Sequence, residues 1–309
     1  MRNKVVIGTR TSKLALYQTH KVKKELKKNF PDLDIGVLEV KTKGDILLDK
    51  PLDRNLDKGF FVKEIQELLL TNKIDIAVHS LKDLPVEQLD ELKISAILKR
   101  GNPQDVFISR KNKKLSDFTG SDLIGTTSLR RKAQLLKLNP KLKIKDVRGN
   151  VDTRIKKMIE GQYDGLVMAA AGIERLKLNK HITEYLEFDL FLNAPGQGAI
   201  AVEINSKNDE LDKIVSTINH EKTMICTKNE RNFMKKMGGG CNYPIGAHSY
   251  VNEGKLILEG IVLSLDGKKS IKHRVESSNL NEDLSIDLSK KFNEENVTEL
   301  INEIDNEIK

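Results

Sequence analysis

Short apolar stretches that end in hydroxyl-rich turns and open helices recur along this chain. Val5-Val6-Ile7 runs into Gly8-Thr9-Arg10-Thr11-Ser12, and a helix over 13–29 follows, stopped by Pro31. Leu123-Ile124 runs into Gly125-Thr126-Thr127-Ser128, and a helix over 129–138 follows, closed by Asn139-Pro140. Between them the pattern predicts a strand at 35–41, an amphipathic helix at 60–71 and a strand at 74–79 that delivers Ser80-Leu81-Lys82-Asp83-Leu84-Pro85. After the second turn come a strand at 144–147, a helix ending at Gly161, a strand at 163–168 and the segment Ala169–Arg175. Alternating strand and helix predicts an α/β fold with mainly parallel sheets. The two passes share an order of elements, so two similar lobes are expected to flank a cleft lined by strand ends and helix N-termini.

Beyond Asn193 the pattern changes. Ala194-Pro195-Gly196-Gln197-Gly198 precedes a strand at 199–204, and a helix is expected from Glu221 to Met237. Three strand-like segments follow, separated by the turn signals Asn252-Glu253-Gly254 and Asp266-Gly267, and two polar helices end the sequence. The expected division is residues 1–98 with 196–216 as lobe 1, residues 99–195 as lobe 2, and residues 217–309 as a small α+β domain with a three-stranded antiparallel sheet.

Bulk properties narrow the function. With 309 residues, 38% hydrophobic and 32% charged, the chain can bury more than one core. The longest apolar run, Leu166–Ile173, is too short to span a membrane, and MRNKVVIGTRTSK lacks the apolar core of a signal peptide. Two cysteines without an export signal point to free thiols in a reducing cytoplasm. The formal charge of +8 allows nucleic acid, an anionic membrane or an acidic small molecule as partner. Only 5% aromatic residues and no tryptophan argue against a stacking platform for single strands.

The arginines say more than the net charge. Arg130 and Arg131 lie in the first turn of a helix, where the dipole disfavours cations. A solvent-facing pair is one reading. The other is an anion site made of backbone N–H groups, the hydroxyls of Thr126, Thr127 and Ser128, and two guanidinium forks. Arg10, Arg148, Arg154 and Arg175 fall on comparable strand-end segments, which favours a ligand with several carboxylates. Phosphate is less favoured, since no P-loop pattern occurs. Asp83 in Ser80-Leu81-Lys82-Asp83 reads equally as an ordinary turn-capping residue or as a carboxylate that stabilises a cation or moves a proton.

Other motifs carry little. Gly196-Gln197-Gly198-Ala199-Ile200-Ala201 matches a dinucleotide pattern by letter but leads into a strand. Cys226 and Cys241 lack metal-finger spacing, and Cys226 sits in a helical pattern as a core residue. Gly238-Gly239-Gly240 before Cys241 is different, because three glycines cost chain entropy and suit something bulky lying beside the backbone.

Taken together, GTRTSKLALYQ (8–18), TKGD (42–45), DKGFFVKE (57–64), DIAVHSLKDLP (75–85), GTTSLRRKAQL (125–135), VRGNVDTR (147–154), AAAGIERL (169–176), APGQGAIAVE (194–203) and GGGCNYPIG (238–246) resemble the porphobilinogen deaminase family, in order, from Val5 to about Gly267. The resemblance implies two periplasmic-binding-protein-like lobes and a smaller third domain. It implies a dipyrromethane cofactor joined to Cys241 by a thioether, and Asp83 as the catalytic carboxylate. It further implies that Ser80, Lys82, Thr126, Thr127, Ser128, Arg130 and Arg131 hold the cofactor. Arg10, Ser12, Gln18, Arg148, Arg154 and Arg175 would bind porphobilinogen or the growing polypyrrole chain, and Lys58 would lie in a lid-like loop. The implied activity joins four porphobilinogen units into hydroxymethylbilane with loss of ammonia. The missing export signal, the absence of a stacking platform and the lack of an apolar stripe that calls for a partner lead us to expect a cytoplasmic monomer with no nucleic-acid or membrane partner.

The sequence departs from the family pattern at Leu56-Asp57, where a glycine is frequent, at Gly238, where an acidic residue is frequent, and at Lys13, where proline is frequent. Two rivals remain from other classes. A non-catalytic two-lobed binding protein for a polycarboxylate shares the lobes and arginines but gives no reason for the glycine–cysteine loop. A nucleic-acid-binding protein would show strongly salt-dependent affinity.

Overall fold

The computed structural model describes residues 3–42, 62–239 and 243–308. The chain forms two compact units, residues 1–101 with 198–224 and residues 102–197 with 225–309. The first contains β1 (Lys4–Arg10), α1 (Lys13–Asn29), β2 (Asp34–Val40), α2 (Lys63–Leu70), β3 (Ile76–Ser80) and β4 (Leu92–Ile97). The chain then builds β5 (Asp105–Ser109), β6 (Leu123–Gly125), α3 (Leu129–Leu138), β7 (Lys143–Lys145), α4 (Val151–Ile159), β8 (Gly165–Ala169), α5 (Ala170–Arg175) and β9 (Glu184–Leu186) of the second unit. It returns to the first as β10 (Ile200–Asn205) and α6 (Asp209–Val215).

The two sheets have the same topology. The first runs β2-β1-β3-β10-β4 and the second β7-β6-β8-β5-β9. In each, the first three strands are parallel, and the fourth is antiparallel to both its neighbours. Parallel neighbours require crossover connections, and the intervening helices supply them. The antiparallel strand in each sheet, β10 or β5, adjoins a segment where the chain passes between units in sequence. The architecture is thus two α/β lobes of like design, as the repeated order of elements predicts.

Sequence chemistry explains the elements. β3 is buried at Ile76, Ala77, Val78 and His79, as a central strand covered on both faces must be. Helix α1 buries Val22 and Leu26 against Val5, Ile7, Ile76 and Val78, and leaves its lysines outward. β1 runs on through Gly8–Arg10, which the sequence pattern assigned to a turn, because β2 pairs with it along its whole length. The pattern missed β4, β5 and β9, and placed β7 one residue late at 144–147. Helix α2 begins at Lys63 among the described residues, and Phe60 and Phe61 lie outside them.

The C-terminal part comprises α7 (Glu221–Lys236), β11 (Ile245–Asn252), β12 (Lys255–Leu263), β13 (Ser270–Ser277), α8 (Ser285–Glu294) and α9 (Val297–Ile308). Its strands form the expected three-stranded antiparallel sheet. Asn252 pairs with Lys255, so Glu253 and Gly254, both at positive φ, form a two-residue hairpin turn. The helices cover one core, with Phe233 and Phe292 tilted at 4.9 Å beside Leu258, Val262, Leu288 and Ile304. Cys226 belongs to this core.

Within the second unit this sheet packs on the arginine-bearing lobe. Ile261 and Leu263 of β12 cluster with Ala133 of α3 and Leu192. Asn193 donates to the Ala247 carbonyl at 2.8 Å and accepts no substitute lightly, since it is fully buried. Glu230 of α7 is fully buried, and its two oxygens accept from the Gly196 N–H at 2.7 Å and the Ser249 N–H at 2.8 Å. One carboxylate thereby joins α7, the 194–197 turn and β11. Glu230→Ala should lower the unfolding free energy by about 3 kcal/mol, the cost of orphaning two buried N–H groups. Urea denaturation checks this, and an unchanged midpoint would remove Glu230 from the joint.

Candidate active site

In the first unit the predicted residues gather at the C-terminal ends of parallel strands. Arg10 ends β1 and is half-buried. Ser12 caps α1, accepting from the Ala15 N–H at 3.3 Å. Lys13 therefore occupies the first helical position, and the cap does the work that proline's preset φ would do. Gln18 is buried on α1 and donates to the Ser80 hydroxyl at 2.8 Å, tying the helix to the end of β3.

Ser80 leads into a single 3-10 turn, Leu81–Asp83. The turn is anchored by Leu81, which is fully buried and donates its N–H to the Ala199 carbonyl at 3.1 Å. Leu84, also fully buried, closes it with an N–H to the Leu81 carbonyl at 3.2 Å. Lys82 is half-buried and Asp83 is exposed. Two buried leucines thus hold a polar pair outward on a backbone that cannot swing.

Beneath this turn lies a polar group that sequence reasoning did not single out. His79 and Glu203 are buried, with Nε2 and Oε2 3.3 Å apart, and Gln66 donates to the other Glu203 oxygen at 3.0 Å. His79 immediately precedes Ser80, and the Gln66–Glu203 hydrogen bond ties α2 to β10 beside this end of β3.

In the second unit Thr126 is buried, Thr127 and Ser128 are half-buried, and Ser128 caps α3 by accepting from the Arg131 N–H. Neither Arg130 nor Arg131 faces solvent; they are 4% and 7% exposed. Both converge on Asp105, the fully buried first residue of β5. Arg130 Nη2 lies 2.8 Å from Oδ2, while Arg131 contacts Oδ1 through Nη2 at 2.7 Å and Nε at 3.1 Å. Arg131 Nη1 donates to the Val167 carbonyl at 3.0 Å, and Arg130 Nη1 to the Leu192 carbonyl at 2.5 Å. Gln197 Nε2 adds a donor to Asp105 Oδ1 at 3.0 Å.

Burial alone would push the Asp105 carboxyl up. The Arg130 and Arg131 charges outweigh it and hold the group well below the usual carboxylate range. Burial pulls the Arg130 guanidinium below its ordinary value, against the opposing pull of Asp105. The arginines that looked misplaced at a helix N-terminus are thus stabilised by a buried counter-ion from another strand. Arg130 Nε remains buried with no hydrogen-bond acceptor.

Arg148 and Arg154 flank the start of α4. Both are half-buried, and Arg154 Nε donates to the Gly149 carbonyl at 2.7 Å. Because β6 is parallel to β7 and β8, this helix start and that of α3 lie on the same edge of the sheet. Arg175 closes α5 and is half-buried, one six-residue helix beyond the end of β8. That places it about 9 Å along the helix axis from the strand end.

Lys58, Leu56, Asp57 and Cys241 lie outside the described residues. The flanks of Cys241 are defined. The Gly238 N–H bonds to the Lys235 carbonyl and the Gly239 N–H to the Met234 carbonyl, at 3.0 and 3.1 Å. This is a Schellman cap on α7, and Gly238 takes the left-handed φ of 64° that such a cap needs. An acidic side chain would be strained there. A Cβ on Gly239 would come within 2.3 Å of Ile245 Cδ1. Two of the three glycines therefore end a helix and admit a close approach, a role that requires no ligand.

On the other flank Tyr243 donates its hydroxyl to Asp305 of α9. That hydrogen bond, with burial and the Asp305 charge, pushes the phenol up to about 12 from its ordinary 10.0. Between these values the unfolded chain has released the proton and the folded one retains it, so stability falls as pH rises. Unfolding free energies should therefore drop more steeply from pH 10 to pH 12 in the wild type than in Tyr243→Phe. Parallel slopes in urea titrations would show that the tether does not exist.

The sequence signal for Asp105 was available: an acid heading the all-apolar run Val106-Phe107-Ile108 must find a cation or stay neutral. Which cation it finds depends on strand order. Among the described residues no cluster of His, Cys, Asp and Glu could hold a metal ion, and no helix is long and apolar enough to cross a membrane.

Comparison with known proteins places this geometry. Residues 5–213 match the family model "Porphobilinogen deaminase, dipyromethane cofactor binding domain", and residues 224–295 match "Porphobilinogen deaminase, C-terminal domain". Relatives named porphobilinogen deaminase include those of Syntrophomonas wolfei, 46% identical over 269 residues (87% of this chain, 88% of that protein), and Thermus thermophilus, 42% identical over 302 residues (97% and 99%). That of Chloroherpeton thalassium is 42% identical over 280 residues, 91% of this chain and 89% of its own. Among solved structures, the VFT2 domain of Bordetella pertussis BvgS aligns with a TM-score of 0.43 at 17% identity, over 70% of this chain and 86% of that one. On the two family models and these relatives together, the chain belongs to the porphobilinogen deaminase family.

Proposed function

We propose that the chain is the enzyme that joins four porphobilinogen units head to tail into hydroxymethylbilane, releasing ammonia, for tetrapyrrole synthesis. Family membership carries the activity and the dipyrromethane cofactor. The observation that supports it in this chain is the Arg130–Asp105–Arg131 cluster at a hydroxyl-lined helix start. It keeps a net positive charge and a buried guanidinium N–H without an acceptor, which fits a carboxylate-bearing pyrrole.

In this reading Cys241 is the attachment point, and Ser80, Lys82, Thr126, Thr127, Ser128, Arg130 and Arg131 hold the cofactor. When bound, the dipyrromethane supplies the nucleophilic carbon to which the first porphobilinogen is joined. Arg10, Ser12, Gln18, Arg148, Arg154 and Arg175 pair with or orient the acetate and propionate of incoming and added units, and Lys58 belongs to a lid loop. Asp83 faces the reacting pyrrole. As ammonia leaves the aminomethyl group, positive charge spreads to the pyrrole nitrogen, and a carboxylate held on a rigid turn stabilises it with little reorganisation. The same carboxylate is placed to take up the proton lost when aromaticity returns.

The division into residues 1–98 with 196–216, 99–195 and 217–309 gives each of these parts a separate support. The enzyme is proposed to act in the cytoplasm as a monomer, without nucleic-acid or membrane partners. The rival of a non-catalytic polycarboxylate binder would keep the arginines but have no use for Asp83.

Two measurements test the reading. Intact mass under denaturing conditions should exceed the polypeptide by two pyrrole units, and Cys241→Ser should lack the excess even after porphobilinogen is added. Asp83→Ala should stay folded, because the side chain is exposed, and lose at least about a hundredfold in turnover, as removal of a key electrostatic group does. Normal turnover in that variant would take Asp83 out of the mechanism. A chain that never acquires a pyrrole adduct would favour the binder.

A further inference from the structure

Arg130 and Arg131 are consecutive on a helix, so their Cβ atoms point about 100° apart around its axis. Two such side chains do not meet by themselves, and their like charges oppose a meeting inside the protein. They meet because one carboxylate serves both: Asp105 gives Oδ2 to Arg130 and Oδ1 to Arg131. Gln197 grips Oδ1 as well, and also donates to the Pro103 carbonyl at 2.8 Å, so the acceptor itself is held. The carbonyls of Leu192 and Val167 take a further N–H from each guanidinium. The arrangement leaves Arg130 Nε buried without an acceptor.

We propose that Asp105 is a positioning residue for the cofactor's carboxylates: an internal counter-ion that aims both guanidinium groups and leaves the pair a single positive charge. This rests on the reading that Arg130 and Arg131 hold the cofactor. Two guanidinium groups and one carboxylate sum to +1, the charge that one incoming carboxylate neutralises. Without Asp105 two buried cations would stand unpaired beside the positive end of α3, where desolvation and the helix dipole both penalise them. With Asp105 the cationic edge exists before any cofactor arrives, so little ordering is left to be done on binding. Asp105 touches neither cofactor nor substrate in this account and acts through the arginines alone.

The test is a cycle of full-length apoproteins given limiting porphobilinogen, with cofactor uptake followed by intact mass and folding by circular dichroism. Asp105→Asn, which keeps the shape and removes the charge, should load about tenfold more slowly than the wild type, the effect of one lost charge-assisted bond. In the Arg130→Gln background the same change should cost nothing, because Asp105 would there cancel the only remaining cation, Arg131. An equal cost in both backgrounds would mean that Asp105 acts independently of Arg130 and would overturn the proposal, as would wild-type loading by Asp105→Asn. If that single variant fails to fold, the double variant still decides: slower loading than Arg130→Gln alone overturns the proposal, and equal or faster loading supports it. Should Arg130→Gln and Arg131→Gln each load like the wild type, it is the cofactor-holding reading of the arginines that fails, whatever Asp105 does.

Discussion

A single buried carboxylate organises the second unit. Asp105 begins β5, the strand inserted antiparallel between β8 and β9. Its two oxygens collect two guanidiniums from α3 and an amide from the 194–197 turn, and those guanidiniums reach on to carbonyls of β8 and of the segment before that turn. Strand, helix and turn are therefore cross-linked at one point that water does not reach. Ion clusters of this kind seldom add net stability over apolar packing, because desolvation offsets the Coulomb gain. What such a cluster does secure is geometry: the helix start, its capping serine and its arginines are held in one arrangement.

The first unit solves a similar problem without an arginine pair. There the polar residues are presented by a short turn whose backbone is pinned by two buried leucines and a bond to Ala199. Gln18 steadies Ser80 from α1, and Gln66 of α2 holds Glu203 on the neighbouring β10. Asp83 stays exposed at the tip.

The cysteine loop is approached by a third route. Helix α7 ends in a Schellman cap whose left-handed residue is Gly238, and a Cβ on Gly239 would displace the end of the Ile245 side chain. Tyr243, reaching to Asp305 on α9, secures the far flank. The glycines that drew attention in the sequence thus have a backbone function of their own. Glu230, from the same α7, binds the β11 strand and the turn that carries Gln197, which links this region to the arginine cluster through covalent neighbours.

The sequence by itself determined a good deal. Alternating strands and helices specified two lobes of like order, because the helices carry a 3.6-residue period between short apolar runs that end in hydroxyl-rich turns. Hairpin letters specified the antiparallel sheet at the C-terminal end, because Gly254 readily takes the positive φ that the two-residue turn needs at its second position. Ordered motifs specified the family, and with it the residues worth asking about. Tertiary structure alone decided the order of strands within each sheet, with β10 antiparallel between β3 and β4 and β5 antiparallel between β8 and β9, since strand order is set by packing and not by local pattern. It also decided the fate of Arg130 and Arg131. Local reasoning offered solvent or a ligand as their partner; the fold supplied Asp105, some 25 residues upstream, because only the folded sheet brings the head of β5 beneath the first turn of α3.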